Sequence, residues 1–64
     1  MNEYDTVVLL QPISGGSIPV GSQGVIVIVH KTPSEACVVE FFDENENTIG
    51  VHTVLPEQIR RISE

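Results

Sequence analysis

Three side chains of this 64-residue chain could hold a soft metal or pair as nucleophile and base: His30, Cys37 and His52. Zinc and copper accept imidazole and thiolate, but a site needs three or four such ligands to converge. None of the three lies at a recognised short ligand spacing, and strand alternation predicts Cys37 inward and His52 outward. The expectation is a buried structural cysteine, two surface histidines and no metal site. A reactive thiolate also wants a positive, partly exposed setting. Cys37 instead lies between Ala36 and Val38 in an acidic chain, which makes it an inert core thiol.

The run Asp43-Glu44-Asn45-Glu46-Asn47 opens like a calcium loop. The sixth position of such a loop must be glycine and the twelfth glutamate; here they are Thr48 and Val54. The match fails where it is most specific, so the run reads as a solvated acidic hairpin turn. Gly15-Gly16 and Gly21 with Gly24 are followed neither by Lys-Ser/Thr nor by a helix, and so form no phosphate loop. No serine has the glycine-framed elbow of a hydrolase. So small a domain has little room for an enclosed pocket of ~300 Å³ or more. These residues predict no enzyme and no cofactor.

Nine acidic residues against three basic ones give a formal charge of −6. Phosphate backbones are held chiefly by Lys and Arg through counterion release. Lys31, Arg60 and Arg61 form no stripe, so direct nucleic-acid binding is not expected. An acidic surface steers a basic protein partner towards it instead. A single cysteine excludes an intrachain disulfide and suits a reducing compartment. No apolar run approaches ~18 residues, so no membrane span is expected. The acidic start, Met1-Asn2-Glu3-Tyr4-Asp5, lacks the basic region of a signal peptide, and the expected location is cytoplasmic.

The elements that must position any site are strands. Gly21-Ser-Gln-Gly precedes Val25-Ile26-Val27-Ile28-Val29 and His30, an unbroken β-branched run that fits a pleated strand better than a helix. Both faces of that strand are apolar, so both must be covered. It is expected at the centre of the fold, paired on both edges, with Lys31 and Pro33 as gatekeepers against aggregation. Thr6–Leu10 reads as the first strand. Residues 11–22 form a long loop whose Ile13, Ile18 and Val20 should fold back onto the core. Ala36–Phe42 is the third strand, with Cys37, Val39 and Phe41 inward and Glu40 facing water. Thr48–Val54 is the fourth, with Ile49, Val51 and Thr53 inward and Gly50 and His52 outward. Leu55–Gln58 is one helical turn, and Ile59–Ile62 the last strand.

Asp5-Thr-Val-Val-Leu, Ile18-Pro-Val-Gly-Ser-Gln-Gly-Val, Val39-Glu-Phe-Phe-Asp and Thr53-Val-Leu-Pro-Glu-Gln-Ile-Arg together span nearly the whole chain. In these stretches it resembles an uncharacterised family of short bacterial proteins, often cyanobacterial, that is a domain of unknown function. The resemblance implies an SH3-like barrel and supplies no catalytic residues. Gly21-Ser-Gln-Gly-Val-Ile is similar, more loosely, to the turn of KOW-type barrels in ribosomal and transcription proteins. Those barrels use basic loops, which this chain lacks.

Together these observations predict one all-β domain over residues 1–64. Its fold is a small five-stranded SH3-like barrel with a long loop after strand one and a short helical turn before the last strand. The expected function is non-catalytic protein binding, as a small acidic antitoxin- or inhibitor-like partner of another, basic protein. The family resemblance suggests gene pairs of that kind. The expected contact surface is Val38, Glu40, Phe42, Asp43, Glu44 and Glu46, an apolar patch with an acidic rim. Two alternatives come from other classes: a KOW-like nucleic-acid-associated module, and a homo-oligomeric structural accessory.

Overall fold

The computed structural model describes residues 2–13, 18–32 and 34–62. Five strands run β1 Thr6–Leu9, β2 Gln23–His30, β3 Ala36–Phe42, β4 Thr48–Val54 and β5 Ile59–Arg61, with a 3₁₀ turn at Pro56–Gln58 before the last. All neighbours are antiparallel, in one sheet of order β4-β3-β2-β1-β5. The fold is all-β and β2 is its central strand. The sheet is open: β4 and β5 lie at opposite edges and do not join, where the sequence predicted a closed barrel. Among the described residues no helix is long and apolar enough to cross a membrane. Gly15, Gly16 and Pro33 lie outside the described residues.

One hydrophobic cluster backs the sheet: Val7, Leu9, Ile18, Ile26, Cys37, Val39, Phe41, Val54 and Ile59. Cys37, Val39 and Phe41 alternate inward along β3, as their spacing predicts. The five apolar residues of β2 are divided by a β-bulge. Ile26 pairs with Val39, but Ile28 pairs with Val38, so Val27 is an extra residue. A bulge of this kind reverses the side-chain parity beyond it. Ile26 is fully buried before the bulge and Val29 packs on the core after it, while Ile28 is 46% exposed. Pairing on both edges holds only for the first half of β2. Its β1 partners stop at Val25, and the lead-in adds two bonds at Ile26.

The orientation predicted for β4 is reversed. Val51 is 54% exposed and Ile49 37%, while Val54 is buried and Gly50 and His52 are half-buried. Register is the cause: Gly50, His52 and Val54 lie opposite Phe41, Val39 and Cys37 and share their face. The His52 ring tilts over Phe41 with centroids 6.5 Å apart. Space at Gly50 is tight: a Cβ there would come within 3.0 Å of His52 Nε2 and 3.1 Å of Ile18 Cδ1, so these side-chain ends would have to give by a few tenths of an ångström. Ile18 and Ile13 do return to the core as expected, but Val20 stays 53% exposed. The chain then turns at Leu55, whose N–H donates to Gln58 Oε1 (2.8 Å). Leu10 N–H donates to the Gln58 carbonyl (2.7 Å), which anchors the 3₁₀ turn to the end of β1.

Candidate functional site

A groove of about 1050 Å³ runs between the segment that enters β2 and the hairpin turn joining β3 to β4. Pro19, Val20 and Val25 line one side, Phe42 and Ile49 the other, and Asp43, Glu44 and Glu46 stand at the hairpin end. The groove exists because two irregularities meet. The loop after β1 bonds back at its end, with Gly21 N–H donating to the Leu9 carbonyl (2.8 Å). A second bulge, at Ile49 between the pairs Phe41–Gly50 and Phe42–Thr48, turns the start of β4 outward.

Asp43 builds the hairpin turn. One carboxylate oxygen accepts the backbone N–H of Asn45 (2.8 Å) and of Asn47 (2.9 Å), and the other accepts Asn47 Nδ2 (3.4 Å). These donors favour the ionised form, so Asp43 titrates below its ordinary 3.8, with the Asn47 N–H the largest cause. Its oxygens are thus occupied by the turn. Glu46 sits beside it with φ of 64°, in the left-handed region that such turns use. Glu44 and Glu46 are exposed.

Of the predicted contact residues, the groove brings together Phe42, Asp43, Glu44 and Glu46. Val38 and Glu40 lie outside it, half-buried on the outer face of β3. Glu40 accepts a hydrogen bond from Thr48 Oγ1 (2.7 Å), tying β3 to the start of β4. Val20 and Ile49 line the groove although hydrophobicity predicts Val20, and strand alternation Ile49, to face the core.

His30, Cys37 and His52 do not converge. Cys37 is fully buried, His52 packs at Phe41 and His30 is exposed at the end of β2. Burial, with Glu35 as the second cause, pushes the Cys37 thiol above its ordinary value. Among the described residues no three of His, Cys, Asp and Glu cluster as a metal ion would require. The groove combines apolar contact area with the exposed Glu44 and Glu46.

No curated protein and no solved structure matches the chain. A family model does match, over residues 3–61, and so takes in all five strands, the groove and the acidic turn: the protein belongs to the family described as Domain of unknown function (DUF4926).

Proposed function

We propose that this protein is a non-catalytic binding module whose groove receives a basic segment of another protein. The observation that carries this reading is the groove itself, which exposed Val20 and Ile49 line together with Phe42 and the exposed Glu44 and Glu46. Apolar area with a charged rim is the anatomy of a protein interface. The formal charge of −6 adds long-range steering of a basic partner. Small size, acidity and the absence of a catalytic constellation among the described residues suit an antitoxin- or inhibitor-like partner acting in the bacterial cytoplasm. The antiparallel meander with a 3₁₀ turn before a last strand that returns to β1 supports reading the open sheet as an SH3-like half-barrel.

The test is capture of partners from the native host by the tagged protein and by its E44K/E46K variant. A basic protein retained by the parent and lost by the variant is the expected result. Equal retention by both, or retention of acidic proteins, would remove the groove from the reading.

A further inference from the structure

We infer that the outer edge of β4 is a strand-addition site for an extended segment flanked by basic residues. The inference rests on the binding function proposed above and adds a contact beyond the groove, whose lining includes neither Val51 nor Thr53. The two edges of the sheet are built differently. β5 has three residues, two of them the exposed Arg60 and Arg61, and short charged strands of this kind discourage pairing. β4 has seven residues with neither a charge nor a proline. Among the described residues no backbone hydrogen bond reaches its far side.

Register identifies the groups that face outward. Ile26 turns both backbone groups away from β3: its N–H donates to the Asp5 carbonyl (3.0 Å) and its carbonyl accepts the Tyr4 N–H (2.6 Å). Bonded and non-bonded pairs alternate in an antiparallel ladder. Val25 therefore bonds Glu40, and Val38, two residues before Glu40 on β3, also bonds towards β2. Their β4 partners, Val51 and Thr53, are left with N–H and C=O pointing off the sheet. Their side chains lie on the outer face, where Val51 is 54% exposed. An added strand would thus gain main-chain bonds at Val51 and Thr53 and apolar contact on one face.

Charge selects the occupant. Glu46 precedes β4 and Glu57 follows it, both exposed. A second copy pairing antiparallel about Val51 would bring Glu46 of each molecule to the Pro56–Glu57 end of the other, like charge against like. A segment with Lys or Arg at both ends meets carboxylates at both ends instead.

The probe is the synthetic peptide Lys-Lys-Thr-Val-Thr-Val-Thr-Val-Lys-Lys, with a version carrying Glu in place of each Lys as control. Amide hydrogen exchange of the full chain is read with and without peptide. Protection should appear at Val51 and Thr53, whereas Gly50 and His52 are already protected by β3. The Lys-flanked peptide should bind at least about tenfold tighter than the Glu-flanked one at low salt. Val51→Pro removes an outward N–H and leaves the β3 ladder intact, and it should weaken binding by at least about tenfold. The exchange pattern of the unmodified chain decides the matter even if that variant fails to fold.

Amides of Val51 and Thr53 that still exchange freely at saturating peptide, or no binding at all, would overturn the inference. So would protection at these amides that rises with protein concentration alone, which would give the edge to a second copy. Loss of binding in E44K/E46K but not in Val51→Pro would leave the groove standing and remove the strand site.

Discussion

A Cβ added at Gly24 would sit 2.7 Å from Val39 Cγ1 and 2.8 Å from the Glu40 carbonyl, closer than packed atoms approach. The backbone of β3 cannot yield without disturbing the central pairing. Gly24→Ala should therefore cost about 1–3 kcal/mol, read as a lowered urea midpoint. Cys37 is fully buried against Val29 and Val54. Cys37→Ser places a hydroxyl there without a partner and should cost a similar ~1–3 kcal/mol. The native thiol should label slowly, both from burial and from its raised titration.

Asp43 carries a pH dependence whose sign is fixed by its hydrogen bonds. Its folded value lies below the ordinary 3.8, so its contribution is fully present above that value and fades as pH falls through the folded one. Unfolding midpoints of the parent should drop with acidification below about pH 4 more steeply than those of Asp43→Ala. Equal slopes would show that the turn does not use the charge. Here the sequence was readable, because Asp and Asn in a short polar run have few other roles.

At the scale of elements, legibility depended on whether a strand carries a period. β3 alternates apolar and less apolar positions and was read correctly to its ends. β2 offers five apolar residues in succession, which carry no period at all, so the bulge at Val27 left no mark in the residue types. β4 misled outright: Ile49 and Val51 face out, while a glycine and a histidine share the inner face with Val54. Register explains that choice, since Gly50 and His52 lie opposite Phe41 and Val39 and share their face. The bulge makes substitutions in β2 diverge sharply. Ile26→Ala should cost about 2–5 kcal/mol, which consumes most of what so small a core supplies, ~3–5 kcal/mol. Ile28→Lys, two residues on, should leave the thermal transition nearly unchanged. Equal damage at both positions would contradict the parity reversal.

At the scale of the whole molecule, charge dominates. With a formal charge of −6 the protein should give no duplex DNA or RNA complex at ~150 mM salt tighter than the weak non-specific range. A sub-micromolar complex in a gel-shift assay would overturn the charge argument and favour the nucleic-acid-associated alternative. Membership of an uncharacterised domain family and the all-β class could be read from the residues, but the open sheet could not. Closure depends on how two distant edges approach one another, and no local pattern encodes that.

The return of β5 to β1 sets the order in which this sheet can form. Every other pairing joins neighbours in the chain, whereas Leu9 meets Ile59 and Val7 meets Arg61 across nearly its full span. The entropy of closing so long a loop must be lost before those contacts repay it. During synthesis the β2–β3–β4 meander can assemble while β1 still lacks its outer neighbour. Until β5 emerges and docks, Val7, Val8 and Leu9 present an uncharged apolar edge. The nascent chain is then most exposed to aggregation, and Arg60 and Arg61 arrive with the strand that ends the exposure.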